Sequence, residues 1–334
     1  MYPILFRLPE WVPLLGGEPI TSFGVMMLVA FLVATLVLRS EMNRVDLDAE
    51  HVWDILFMAV VGGFVGARLY YLVLHLDWTL EDPVGMLLSR GGMVWYGGFI
   101  GAAVLVVWQL HRSKLPLARM TDLTAPALAV GYALGRVGCF LVGDDYGRPT
   151  DSWVGMAFPQ GTPPTRVDVL EQAYGIDVDP ELIRRFGEVV PVHPTQLYEV
   201  ALSTLIFVSL WRLRRHAHAA GWLFMLWLAL AGMERFVVEF VRIKDDRIFG
   251  PLSLAQVISL GLVVVGIVGM RRLWESGVEG PGEVVSTEDS PIAGDSGSGA
   301  HAAGDEDEDE DENGSAESVE SESEASWGAV EGGE

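Results

Sequence analysis

Arg235, Glu239 and Arg242 stand at i, i+4 and i+7 in one apolar stretch, so a helix there carries all three on one face. A salt-bridged stripe between two helices explains that spacing, and so does a binding face. Arg136 lies in another apolar stretch, between Gly135 and Gly138 with Gly131 further back. Small residues let helices approach closely, and they also leave room for something bulky beside a guanidinium. An arginine in an apolar setting next to space suits a fixed anion such as phosphate, which its planar fork matches.

Two more patterns invite chemistry. His193-Pro194-Thr195 precedes a further apolar stretch that carries Glu199. The residue before proline avoids the helical region, so His193 ends an extended turn and is an acid, a base or an interfacial hydrogen-bonding group. Gly91-Gly92 and Gly97-Gly98 bracket Met93–Tyr96, and Gly101 follows. Such a segment fits a phosphate cradle or a close helix contact equally well.

The elements that position these residues follow from composition. The 334 residues have a formal charge of −23, yet residues 275–334 hold 20 acids and no Lys or Arg. Residues 1–274 are left with a net charge of −3, so the body is nearly neutral and very apolar. No region carries the basic excess that nucleic-acid binding needs. Cys139 is the single cysteine, which excludes an intrachain disulfide and a cysteine-based zinc site.

A bilayer core needs about 20 mostly apolar residues per helix. Seven stretches meet or approach this: Ile20–Leu38, Val52–Leu74, Gly91–Leu110, Leu123–Val142, Gln196–Trp211, Gly221–Phe240 and Leu252–Met270. The expected fold is an all-α integral membrane protein with seven transmembrane helices. No cleavable signal peptide is evident, since a basic n-region is lacking and Pro9, Glu10 and Pro13 precede the first stretch. Alternate short connectors hold ten Lys/Arg on one side and five on the other. That asymmetry predicts the N-terminus outside and the C-terminus in the cytoplasm.

The expected organisation is an external N-terminal segment over 1–19, a membrane domain over 20–274, and an acidic disordered cytoplasmic tail over 275–334. Within the membrane domain, 143–195 form a small external head. In the head, Asp179-Pro180 reads as an N-cap with proline at the first helical position. The tail cannot bury enough apolar surface to offset its ordering entropy. With this orientation one outer layer collects Arg68, Arg136, Arg235, Arg242, His193, Glu199, Glu234, Glu239 and Asp144. Ionisable groups at that depth are functional candidates by default, and the anion abundant there is a lipid phosphate. Asp54 and Asp122 fall at the cytoplasmic ends, as capping or interfacial residues.

Taken together the motifs resemble prolipoprotein diacylglyceryl transferases. The pieces are Gly66-Ala67-Arg68, Gly91-Gly92-Met93 with Gly97-Gly98-Phe99-Ile100-Gly101, and Gly135-Arg136-Val137-Gly138 with Gly147-Arg148. His193-Pro194-Thr195-Gln196-Leu197-Tyr198-Glu199 and the run from Arg235 to Arg242 complete them, and the resemblance covers about residues 18–272. It implies a seven-helix body with an external head in the bacterial cytoplasmic (inner) membrane. The implied reaction moves the diacylglyceryl group of phosphatidylglycerol to the lipobox cysteine of prolipoprotein precursors and releases glycerol phosphate.

The resemblance makes Arg136 and Arg235 essential and gives Glu239, Arg242 and Glu199 functional places. Arg68, Asp144, Gly97 and Gly98 join the expected phosphatidylglycerol site. The chain departs from the family pattern at Tyr96, where a histidine is usual, at Cys139 and Val142, usually asparagines, at Asp144, usually glutamate, and at Phe23. A phenol with a pKa near 10 is a poor base for a thiol of about 8.5, so Tyr96 is assigned hydrogen-bond donation. His193 is the better base, with Glu199 or Asp144 to orient it. The departing phosphate needs no protonation if arginines hold it, so no metal and no cofactor are expected.

Other classes compete. A divergent paralogue would bind or export phosphatidylglycerol without catalysis. A transporter would carry polar residues through the full membrane depth and show inverted repeats, neither of which the sequence displays. Cys139 would be a covalent nucleophile if Arg136, three residues earlier, lowered its pKa, although a lone buried cysteine usually packs as a small apolar residue.

Overall fold

The computed structural model describes residues 2–11, 17–89, 92–243, 247–249 and 252–275. The chain divides into two units, Met1–Val284 and Val285–Glu334, and every described element belongs to the first. The acidic tail beyond Glu275 lies outside the described residues, as do Arg90, Gly91 and Lys244 of the charge and glycine patterns.

Each predicted stretch coincides with a long helix: α1 (Ser22–Arg44), α2 (His51–Leu74), α5 (Trp95–Arg112), α6 (Leu117–Val142), α9 (Thr195–Leu213), α10 (Trp222–Glu239) and α11 (Leu254–Glu275). Ser22–Arg44, His51–Leu74, Leu117–Val142 and Leu254–Trp274 are long and apolar enough to cross a membrane. Large apolar side chains such as Phe57, Phe64, Val73 and Val264 face outward along them, as lipid requires and water would penalise.

The ends differ from expectation for local reasons. α1 runs on to Arg44 because buried Glu41 accepts from Arg44 at 2.6 Å and pairs with Arg214 at 3.3 Å. α6 starts at Leu117, which places Asp122 inside the helix. Asp122 caps a different helix there: its carboxylate accepts from the backbone N–H of Gly221 at 2.9 Å and of Phe224 at 2.8 Å, at the start of α10. A carboxylate suits a helix N-terminus. Gly143, left-handed at φ 74°, ends α6.

The chain is not wholly helical. β1 (Ile4–Arg7) pairs antiparallel with β2 (Pro19–Thr21), so part of the N-terminal segment is a ribbon against the start of α1. β3 (Arg247–Phe249) pairs with β4 (Leu252–Ser253) ahead of α11. Two short helices that hydrophobic patterning did not reveal, α3 (Leu76–Glu81) and α4 (Pro83–Leu88), lie between α2 and α5.

Residues 143–195 have a core of their own, built on Tyr146, Phe158, Leu170, Val190 and Val192 and closed by Ile243. Two helices cover it, α7 (Val167–Tyr174) and α8 (Pro180–Phe186). The Asp179 cap is present, its carboxylate accepting from Glu181 N–H at 2.8 Å.

In the bundle, α2 packs on α5, α1 on α6, α10 on α11, and α6 on α9, with α10 also against α6 and α9. The α2–α5 seam is made of glycines. A Cβ on Gly62 would lie 2.5 Å from the carbonyl oxygen of Gly101, and one on Gly66 would collide with that of Gly97. Gly97 and Gly98 therefore take part in a close helix contact. A Cβ on Gly97 would strike Tyr70, and one on Gly98 would lie 3.1 Å from Gly63 O.

Candidate functional site

Helices α6, α9 and α10 bring the candidate charges together. Arg136 on α6 is buried. Its Nε donates to Glu199 Oε2 on α9 at 2.5 Å, and its second terminal nitrogen reaches the same oxygen. The remaining arm donates to Asp145 Oδ2 at 3.1 Å and lies 3.4 Å from Cys139 Sγ. Glu199 is fully buried, and its Oε1 accepts the Tyr132 hydroxyl at 2.9 Å.

Arg242 enters the same cluster from outside the helix. α10 ends at Glu239, so the expected i+7 position is not helical. Arg242 instead forms a β-bridge with Gly147, and Arg148 N–H donates to Val241 O at 2.9 Å. Gly147 must lack a side chain, since a Cβ would run into Val241 O and lie 2.9 Å from His193 Cβ. Arg242 donates to Asp145 Oδ1 at 2.9 Å and comes within 3.8 Å of Glu199 Oε1 and 3.9 Å of Glu239 Oε2.

Glu239 extends the network to Arg235 by a direct ion pair and to Ser253 by a 3.0 Å hydrogen bond. Among the described residues Glu239 is the partner of Arg235, whose side chain is 32% exposed. Of the stripe expected on α10, the Arg235–Glu239 pair lies on the helix and Arg242 does not; the pair is one edge of a network of three arginines and the carboxylates of Asp145, Glu199 and Glu239. Buried ion pairs lose hydration, and the loss is offset only where each charge has several well-placed partners. Glu199 meets that condition.

His193 lies just before α9. Its N–H donates to Arg148 O at 3.0 Å and its carbonyl accepts from Gly147 at 2.8 Å. The ring Nδ1 is 3.1 Å from the Tyr198 hydroxyl, and burial lowers the pKa below the ordinary histidine value. Tyr198 is the ring's hydrogen-bonding neighbour, where Glu199 or Asp144 was expected, because Glu199 is taken up by Arg136 and Tyr132. Asp144 sits beside Cys139 and Asp145, their ligand atoms all within 4.8 Å of one another. Arg136 already supplies a cation to two of the three.

Two expected members have other partners among the described residues. Arg68 donates to Gly92 O at 3.0 Å, Ser89 Oγ at 2.5 Å and Met86 O, fastening the segment after α4 to α2. Tyr96 is half exposed on α5, edge-on to Trp95. Glu234, one residue before Arg235, accepts from Ser203 at 2.6 Å and lines a groove of about 280 Å³ between α9 and α10, walled by Leu202, Ile206, Met233 and Val237.

Sequence reasoning missed Asp145 and Tyr132. Tyr132 was visible as the i−4 neighbour of Arg136. Asp145 was overshadowed by Asp144, and its left-handed backbone, φ 55°, turns its side chain toward the arginines.

The family model described as prolipoprotein diacylglyceryl transferase matches residues 9–272. Among curated relatives, the phosphatidylglycerol–prolipoprotein diacylglyceryl transferase of Geobacter sulfurreducens is 30% identical over 81% of this chain and 96% of its own length. The protein of that name from Burkholderia thailandensis is 34% identical over 79% and 94%, and that from Clostridium tetani 28% identical over 80% and 96%. A match that takes in every helix of the network and runs nearly end to end through the relatives settles the grouping: this chain is a membrane transferase and belongs to the prolipoprotein diacylglyceryl transferase family.

Proposed function

We propose that this protein transfers the diacylglyceryl group of phosphatidylglycerol to the lipobox cysteine thiol of prolipoprotein precursors. The supporting observation is the convergence of Arg136, Arg242 and part-exposed Arg235 on one carboxylate-lined network. In this reading Arg136 and Arg235 hold the headgroup phosphate. Fixed cations in a water-poor site stabilise the charge that grows on a departing phosphate, by several kcal/mol. His193, its pKa lowered by burial, takes the thiol proton. The thiolate sulfur attacks the glyceryl carbon, a C–S bond forms, the C–O bond breaks, and glycerol phosphate leaves with the electron pair. Arg242 flanks the same phosphate with the arm that it shares with Asp145, and Glu239 and Glu199 hold the guanidinium groups in register. The acyl chains lie in the apolar α9–α10 groove.

The same proposal makes all seven long helices membrane spans of a bacterial inner-membrane protein. The N-terminus and 143–195 face outside and the C-terminus faces the cytoplasm, as the Lys/Arg asymmetry favours. An impermeant thiol reagent on intact cells should label Gln160→Cys and spare Ala300→Cys; the opposite pattern reverses the topology.

The activity is tested with purified protein, phosphatidylglycerol and a lipobox peptide. Thioether-linked diacylglyceryl peptide and free glycerol phosphate should appear together. Lipid binding without either product would leave a non-catalytic lipid-binding paralogue.

A further inference from the structure

Two carboxylates join Arg136 to Arg242, and they are not equivalent. Glu199 is fully buried on α9 and held by Tyr132 as well as by both arginines. Asp145 is 32% exposed and stands on the turn that follows Gly143, the residue that ends α6. Its backbone is fixed, because Thr195 Oγ1 donates to its carbonyl at 2.7 Å. Its side chain is the part-exposed member of the bridge.

The geometry at Asp145 is that of an anion bridging one arm of each of two arginines. Oδ1 accepts from Arg242 at 2.9 Å and Oδ2 from Arg136 at 3.1 Å. A phosphodiester offers two non-bridging oxygens with nearly the same spacing, and arginine binds carboxylate and phosphate through the same paired donors.

We propose that Asp145 competes with the headgroup phosphate for the two guanidinium arms that it bridges, one of Arg136 and one of Arg242, and so sets how strongly anionic a ligand must be to enter. This rests on the reading that Arg136 holds lipid phosphate. Glu199 keeps the arginines in register while Asp145 swings aside, so the competitor is separable from the scaffold. Removing the charge of Asp145 strengthens both substrate and product binding, because both carry the phosphate that it opposes.

The test is steady-state kinetics of the full chain in phosphatidylglycerol–detergent micelles with a lipobox peptide, and glycerol phosphate as the added inhibitor. Asp145→Asn preserves the side-chain shape and Asp145→Ser removes the bridge. Both should lower the apparent KM for phosphatidylglycerol and the Ki for glycerol phosphate together, by about fivefold, the scale of a part-exposed ion pair. A scaffold role predicts the reverse, a rise in both. Raised or unchanged values in both Asp145 variants, with Arg136→Lys still impaired, overturn the competition and leave the phosphate seat intact. Normal KM and Ki in Arg136→Lys overturn the seat itself, and this proposal with it.

Discussion

Tyr132 and Arg136, one turn apart on α6, take opposite oxygens of the Glu199 carboxylate: the phenol reaches Oε1 at 2.9 Å and Arg136 Nε reaches Oε2 at 2.5 Å. With the hydroxyl gone, Oε1 keeps Arg242, at 3.8 Å, among the described residues. Tyr132→Phe should lower stability by about 1.5–3 kcal/mol, the range for a hydrogen bond to a buried charge. Thermal unfolding in detergent measures it. Transfer should fall as well, since Glu199 is what aims Arg136.

Lysine substitution separates the two arginines. A single ammonium cannot reproduce a planar fork. Arg136→Lys and Arg235→Lys should each lose transfer by at least about 100-fold, the scale of a lost transition-state charge contact. Their stabilities should part company. Arg136 is buried against Glu199 and Asp145, so its variant should melt earlier; Arg235, part exposed and paired with Glu239 among the described residues, should leave the melting point nearly unchanged. Near-normal turnover by Arg136→Lys would remove it from the phosphate site.

His193 gives the pH dependence. Burial lowers its pKa, so the neutral ring persists below the ordinary value of about 6.5. The acid limb of kcat/KM should lie below that pH, and His193→Gln should lose at least about 100-fold and show no such limb. For stability the sign follows from the unfolded chain binding the proton more readily. The contribution of His193 is present above the unfolded pKa and declines as pH falls through it toward the folded value. An acid limb above pH ~6.5 would point to another base.

The α2–α5 seam should tolerate no side chain at Gly62 or Gly66. Gly66→Ala places a methyl against Gly97 O and 2.9 Å from Gly101 Cα, and should cost about 1–3 kcal/mol by overpacking. Gly131→Ala on α6 meets Ala34 Cβ at 3.4 Å and Ala30 O at 3.8 Å, both ordinary contacts, and should be close to neutral. Equal melting points for the two variants would contradict the seam.

The sequence by itself determined the seven long helices, the self-contained 143–195 region with its Asp179 cap, and most residues of the charge network. Helix period and apolar run length are local properties, and an arginine among apolar residues is conspicuous without coordinates. Family membership was legible too, because Arg136, His193–Glu199 and Arg235–Arg242 sit in contiguous motifs. Only tertiary structure decided which charges meet. Arg68 and Tyr96 share the expected depth with Arg136, yet α2 and α5 pack on each other and direct Arg68 to backbone carbonyls. Asp145 and Arg242 join the network through a turn and a β-bridge, neither of which has a periodic signature. Glycines read the same whether they cradle a ligand or admit a neighbouring helix, and at Gly97 the helix contact became visible only with Tyr70 and Gly66 across the seam. Asp122 looked like a helix end because a charge interrupts the apolar run, and its partner is the start of a helix about 100 residues later.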